Sequence, residues 1–335
     1  MTSDAASVPL LSIIVVNWNG ARFLSRLFDS LRAQTLCDIQ TILVDNGSTD
    51  ESVLMTLEGY PEVDIIELGE NLGYAEANNR GVAYARARYL FFLNNDTHLH
   101  PTALSSLIAT AEADSFNPIL APQIRTYNGA EPLTMGISLD VLGFPCGQDK
   151  VFYADGAAFF IRRDVFLLLG GFDPSHFMFF EETDLCWRAW LQGYHIKVVP
   201  SAIVYHKAGG TAGSSVVVGG HYTTNRSKRH LSHRNQAMML LKNYSALALV
   251  VILPLFITVT IAEILLLLIS GQWVTVHEAY VPAWRDLLHQ RVHIRTMRRK
   301  IQAVRTVSDY MILRRLKWRL AMFDHLRNTG IPTIK

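Results

Sequence analysis

The stretch Leu10-Leu11-Ser12-Ile13-Ile14-Val15-Val16, closed by Asn17-Trp18-Asn19-Gly20, decides how the rest of the chain is read. An apolar run of this length that stops at a turn signal reads as a buried strand. Phe23, Leu24, Leu27, Phe28 and Leu31 then follow at helical spacing. The alternation repeats. Residues 39–44 form a second β-like run, stopped by Asp45-Asn46-Gly47-Ser48, and residues 63–68 a third. Asn71-Leu72-Gly73 reads as a loop and residues 75–87 are rich in helix formers. Residues 89–93 make a fourth strand, ending at Asn94-Asn95-Asp96. Strands alternating with helices predict an α/β fold: a mostly parallel, Rossmann-like sheet covered on both faces, with right-handed connections.

In such sheets ligands sit outside the carboxyl ends of the strands. Asn17, Asp45 and Asp96 stand at three of those ends. Each alone fits a turn or a helix cap; together they point to a site. No GxGxxG follows the first strand and no GxxxxGK[ST] occurs, so the phosphate-binding devices of dinucleotide dehydrogenases and P-loop NTPases are missing. A nucleotide bound here needs another counter-charge for its phosphates. A metal held by Asp96 would supply it.

Composition divides the chain in two. Residues 1–225 hold 13 Lys and Arg against 24 Asp and Glu, a net of −11, whereas residues 226–335 hold 18 against 5, a net of +13. The 335 residues suit a catalytic domain with an appendage, and a mean hydropathy of +0.17 directs attention to a membrane-contacting part. Cys37, Cys146 and Cys186 form no CxxC pair, which argues against a disulfide framework or a structural zinc site and fits a reducing compartment. The opening MTSDAASVPL carries Asp4 and no basic segment, and the apolar run behind it is too short for a signal peptide. The front half is expected in the cytoplasm.

Further motifs complete the pattern: NLGYAEANNRG (71–81), FFLNNDT (91–97), ADGAAFFIRRDVFLLLGGFD (154–173), FFEETDLCWR (179–188) and VYHKAGG (204–210) follow VVNWNG (15–20) and ILVDNGSTD (42–50). In this order, over about 200 residues, they resemble the family-2 inverting glycosyltransferases of GT-A fold, especially the bacterial rhamnosyltransferase-like branch. The resemblance implies a GT-A nucleotide-sugar-binding fold over residues 1–225 and a role for each matching position. Asp45 would hold the base or ribose of a nucleotide-sugar. Asn17, Gly73, Asn78, Asn95 and Asp96 would line the same pocket. Asp96 matches the last residue of the family's DxD metal motif, and His206 a histidine that completes the metal site in some members. Asp155 and Gly156 lie where acceptor and donor sugar meet. Trp187 joins them as a sugar contact, though with Trp190 at helical spacing it also fits a core.

Glu182 matches the catalytic base. The sequence departs from the family at two points: Asn94 holds the first DxD position, and the acidic pair is Glu-Glu instead of Glu-Asp, so Glu181 and Glu182 can exchange roles. The chemistry explains the residue types. Expelling a nucleoside diphosphate calls for Mn²⁺ or Mg²⁺ on its oxygens, and a histidine ligand tilts the choice towards Mn²⁺. A glutamate accepts the proton of the attacking hydroxyl, which contributes about 10²–10⁴-fold. The competing structural readings are that Glu181, Glu182 and Asp184 are first-turn acids of a helix and that His206 merely ends a strand.

Residues 207–233 are rich in Gly, Ser, Thr and His and read as a mobile loop, either a lid or a linker. Residues 226–335 read as a basic, hydrophobic, helical membrane-association region. Within it, residues 246–269 are overwhelmingly apolar and long enough to cross a bilayer. Basic residues flank both sides, which favours a re-entrant or in-plane segment over a span. The stretch from Trp284 to Arg319 reads as a basic amphipathic helix on anionic lipid. No nucleic-acid motif is present.

The expected function is therefore an inverting, metal-dependent glycosyltransferase on the cytoplasmic face of the inner membrane. It would move a single sugar, rhamnose from a dTDP donor as the branch suggests, from a nucleoside diphosphate-sugar to a glycan or polyprenyl-diphosphate-linked acceptor in envelope polysaccharide synthesis. The QxxRW motif of processive synthases is absent. A polyprenyl-phosphate sugar synthase, a nucleotidyltransferase and a non-catalytic membrane adaptor are the competing classes.

Overall fold

The computed structural model describes residues 8–207, 216–218 and 221–335. The chain forms two compact units. The first comprises Met1–Gly136, Ala154–Phe177 and His195–Thr211; the second comprises Ile137–Tyr153, Met178–Tyr194 and Ala212–Lys335.

The first unit is the α/β sheet anticipated from the alternation. Its order along the chain is β1 (Leu11–Asn17), α1 (Ala21–Arg32), β2 (Ile39–Asp45), α2 (Ser52–Gly59), β3 (Val63–Glu67), α3 (Gly73–Val82) and β4 (Tyr89–Asn94). Then come β5 (Thr97–Leu99), α4 (Ala103–Ala113), β6 (Ile119–Thr126), β7 (Pro132–Thr134), β8 (Ala158–Arg162), α5 (Arg163–Leu168) and, after a stretch belonging to the second unit, β9 (Ile196–His206). The sheet runs β3-β2-β1-β4-β8-β6-β9-β5, with β7 paired to β6. Strands β3, β2, β1 and β4 are mutually parallel. Leu11, Ile13, Ile14 and Val15 are fully buried, as befits a strand covered on both faces.

Beyond β4 the direction changes. β8 enters antiparallel to both β4 and β6. The reason is the connection: no helix lies between β7 and β8, and a parallel neighbour needs a crossover that this segment does not provide. On one face of the sheet α1 packs Leu24, Leu27 and Phe28 against β1 and β4 residues. Phe92, Phe159, Phe166 and Phe172 form an aromatic cluster at centroid distances of 5.0–6.2 Å.

The second unit is helical. It contains α6 (Glu181–Leu191), a small sheet with β10 (Val216–Val218) and β11 (His221–Thr224), α7 (Arg226–Asn243), α8 (Ala246–Ile269), α9 (Trp273–Thr275), α10 (Val281–His289) and α11 (Arg291–Ala303). The residues expected as a loop up to 233 are corrected here, because α7 already begins at Arg226. Asn225 caps it, its side-chain oxygen accepting from the Lys228 amide at 2.7 Å. Residues 208–215 and 219–220 of the expected lid lie outside the described residues. The apolar stretch is α8 with the bounds expected, capped by Ser245. The basic segment expected as one helix is divided at Gln290, between α10 and α11. α11 supplies what the end of α7 lacks. Arg298 donates to the carbonyls of Leu241 and Tyr244, and Gln302 to those of Lys242 and Asn243.

Candidate active site

In the first unit the parallel register sets Asn17 directly beside Asp45. Asn17 is fully buried, and its amide donates to Asp45 Oδ1 at 3.3 Å, Ser48 Oγ at 3.1 Å and Ser52 Oγ at 2.9 Å. Its oxygen accepts from Asn95 Nδ2 at 2.8 Å. The tips of β1, β2 and β4 are thereby tied by one side chain. Gly20 makes room for this knot, since a Cβ there would stand 2.1 Å from Asn95 Nδ2 and 2.4 Å from Asn17 Oδ1. Asp45 Oδ2 accepts from the Ser48 amide at 3.0 Å and so shapes the turn after β2.

The loop before α3 closes against the same edge. Asn46 Oδ1 accepts from Leu72 N at 2.8 Å, and Asn71 Oδ1 from Asn46 Nδ2 and Gly73 N, each at 3.0 Å. Gly73 has φ +83°, and a Cβ there would lie 2.5 Å from the Phe177 ring, so only glycine fits. Asn78 is buried; its amide donates to the Tyr74 carbonyl at 2.9 Å, and its oxygen has no hydrogen-bond partner among the described residues. Tyr74 reaches across to donate its hydroxyl to the Gly156 carbonyl at 2.9 Å.

Past β4 the chain turns sharply, and β5 pairs with β9 so that Thr97 faces His206. This register brings His206 Nε2 to 3.2 Å from Asp96 Oδ1, both side chains being largely buried. Burial works against a charged imidazole, but the hydrogen bond and charge of Asp96, reinforced by Asp155, prevail and raise the His206 pKa. Asp155 and Gly156 are half-buried, and Asp155 Oδ1 accepts from the Ala157 amide at 2.9 Å. A carboxylate and an imidazole side by side, at the open end of a parallel sheet, make a donor set that suits a divalent cation.

The second unit carries the acidic pair. Phe179 and Phe180, with φ of 72° and 71°, adopt the left-handed conformation immediately before α6. Asn235 of α7 holds this turn, its amide donating to the carbonyls of Met178 and Phe179 at 2.9 and 2.8 Å. Glu181 is buried at 4% exposure and its Oε2 has no hydrogen-bond partner among the described residues. Burial, then the neighbouring charge of Glu182, raise its pKa well above the usual carboxylate range. Glu182 is half-buried, with Thr183 Oγ1 donating to it at 3.3 Å. One turn on, Asp184 accepts from Arg188 at 2.9 Å, Lys242 at 3.1 Å and Asn243 at 2.8 Å, and all four side chains are inaccessible.

Trp187 is a correction. It is fully buried, edge-on to Phe152 at 5.2 Å and to Tyr244 at 4.9 Å. A ring sealed inside a core cannot stack on a sugar, so its part is to anchor α6.

The comparisons with known proteins decide the family. Residues 12–169 match the model of glycosyl transferase family 2. These residues carry a family 2 glycosyltransferase domain. The N-acetylglucosaminyl-diphospho-decaprenol L-rhamnosyltransferase of Mycobacterium tuberculosis is 27% identical to it over 238 residues, which cover 60% of this transferase and 78% of the relative. The Haloferax volcanii low-salt glycan biosynthesis hexosyltransferase Agl10 is 26% identical, covering 53% and 61%. Among solved structures, S. aureus TarS 1–349 in complex with UDP-GlcNAc superposes with a TM-score of 0.53 at 18% identity, covering 70% of this chain and 67% of that one. GalNAc-T7 with UDP, GalNAc and Mn²⁺ superposes with 0.56 at 16% identity, covering 71% and 48%. These neighbours show the GT-A fold. The matched region of the transferase holds Asn17, Asp45, Asp96 and Asp155, and ends before Glu181, Glu182 and His206.

Sequence reading missed several residues that order the strand ends of the first unit and the acidic pair of the second. Gly20, Asn46 and Asn71 lay inside the motifs quoted above, but as turn residues with no role of their own. Asn235 and Asn243 lay in or beside stretches read as loop and membrane flank, and Lys242 was read only as a basic flank. Their signal is a buried long-range contact, which no local pattern reports.

Proposed function

We propose that this transferase moves one sugar, with inversion, from a nucleoside diphosphate-sugar to a hydroxyl of a glycan or polyprenyl-diphosphate-linked acceptor. The setting is the cytoplasmic face of the plasma membrane, in envelope polysaccharide synthesis. Residues 1–225 carry the transfer and residues 226–335 the membrane attachment. The observation that carries this reading is the buried pair of Asp96 and His206 at the open end of β4.

Asp96 and His206 would hold Mn²⁺ or Mg²⁺, which when bound offsets the charge of the departing diphosphate. The GalNAc-T7 neighbour, with UDP and Mn²⁺, supports the choice of ion. Asp45 presents its carboxylate to the ribose or base, on the shelf that Asn17, Gly73, Asn78 and Asn95 build. Asp155 and Gly156 orient the sugar. Glu182 takes the proton of the acceptor hydroxyl. Burial and the charge of Glu182 raise the pKa of its neighbour Glu181, which favours the less buried Glu182 as the base of the pair. The Mycobacterium tuberculosis relative supports rhamnose as the sugar and a lipid diphosphate in the acceptor.

Three variants test the assignment in a transfer assay with dTDP-, UDP- and GDP-sugars. Glu182→Gln lowers kcat by about 10²–10⁴-fold. Glu181→Gln loses far less. Asp96→Ala loses turnover and the metal-dependent rise in melting temperature with donor. Full activity in Asp96→Ala refutes the metal role. An unaffected Glu182→Gln redirects the reading to a lipid-phosphate acceptor, which needs no strong base, and lipid binding without any transfer would leave a membrane adaptor.

A further inference from the structure

Helix α8 is amphipathic in the reverse sense. Its packed face is Ile252, Phe256, Val259, Thr260, Glu263 and Leu267. Its exposed stripe runs the full length from Leu247, 82% exposed, through Val250, Val251, Ile261 and Leu265 to Ile269, 83% exposed. No charged residue lies on that stripe. The single acid, Glu263, turns inward and pairs with Arg229 of α7, which also donates to Tyr280 at 2.7 Å. Phe256 stacks on His233 of α7 at 5.4 Å. Water is a poor neighbour for such a stripe.

Two orientations in a bilayer fit the composition. Upright, the 24 residues of α8 would span a hydrocarbon core of about 30 Å. But α7 is packed along it, and its first nine residues include Arg226, Lys228, Arg229, His230 and Arg234. Standing α8 upright draws these into hydrocarbon, where each charge is costly. Lying flat, the stripe sinks about 5–10 Å into the headgroup and acyl boundary while α7 stays in water. Arg285, Arg291, Arg295, Arg299 and Lys300 of α10 and α11 are exposed as well, a charge complement to acidic headgroups.

We propose that α8 lies in the plane of an anionic bilayer with the Leu247-to-Ile269 stripe in the acyl boundary and does not cross it. The proposal rests on the reading of the chain as membrane-attached and is independent of which glutamate is the base. It is tested on the full-length protein in a Cys37→Ser, Cys146→Ala background, with bimane attached singly at Leu247→Cys, Ile257→Cys or Ile269→Cys. The protein is bound to phosphatidylglycerol-containing vesicles whose lipids carry quenchers at known depths. Equal, shallow quenching depths at all three positions are expected. A label at 257 lying about 10 Å or more deeper than those at 247 and 269, towards the bilayer midplane, overturns the in-plane orientation while keeping the membrane. Absence of quenching at all three positions overturns the membrane itself.

Discussion

His233 shows how a single side chain sets a pH limit. Its ring is buried between Phe256, Tyr280 and Trp284, at 5.4, 5.0 and 5.7 Å, and Nε2 has no hydrogen-bond partner among the described residues. Burial, then the charges of Arg229 and His230, press its pKa down from 6.5 to about 3. The folded protein therefore keeps it neutral, whereas the unfolded chain takes up a proton below pH 6.5. Stability is complete above that value and is lost as the pH falls towards 3, at about 1.4 kcal/mol per unit. His233→Phe keeps the stacking and removes the proton site. Between pH 6.5 and 4.5 the native chain is expected to lose about 2.5 kcal/mol more than the variant, in denaturant titrations followed by tryptophan fluorescence. Equal losses would remove His233 as the cause.

The turn from Met178 to Phe180 makes the corresponding case for an element. Two non-glycine residues held left-handed cost roughly 1 kcal/mol or more each and persist only where the surroundings enforce them. Asn235 does so from α7 through two carbonyls, and Lys242 and Asn243 of the same helix grip Asp184 one turn further on. Asn235→Ala is expected to cost about 2 kcal/mol of stability and to lower kcat at least tenfold with donor KM unchanged, because the glutamates lose their direction and the nucleotide shelf is untouched. A variant that melts earlier yet turns over normally would reduce Asn235 to a purely structural part. None of this was legible in the sequence. Phe-Met-Phe-Phe announces no left-handed turn, and the polar start of α7 looks like loop because many of its partners, Met178, Phe179, Tyr280 and Asp286 among them, lie more than fifty positions away. The strands were legible for the opposite reason. A strand buried on both faces must be a continuous apolar run, and it must stop where polar residues begin, so β1, β2 and β4 declared themselves together with Asn17, Asp45 and Asp96.

Across the chain, charge and hydropathy divide the labour. The +13 of residues 226–335 accompanies the apolar α8, and the −11 of residues 1–225 accompanies the sheet. Attachment to anionic vesicles should then have two parts. Raising salt from about 0.15 to 1 M shortens the screening length from about 8 to 3 Å, so sedimentation with phosphatidylglycerol vesicles should fall about tenfold to the level seen with neutral ones. The residual binding belongs to the α8 stripe. Salt-insensitive attachment would remove the arginines of α10 and α11 from the account. The charge division could be counted from the sequence, but the interleaving of the two units could not, because residues 137–153 and 178–194 leave the sheet unit in mid-chain and composition does not change there.

The bond between Asn17 and Asn95 over the bare Cα of Gly20 couples properties that evolution would otherwise tune separately. A substitution of Asn17 also releases Asn95, the residue preceding Asp96. On the proposed assignment, reshaping the nucleotide shelf at Asn17 would therefore disturb cation affinity in the same mutational step, and the route to a new donor runs through residues other than this one.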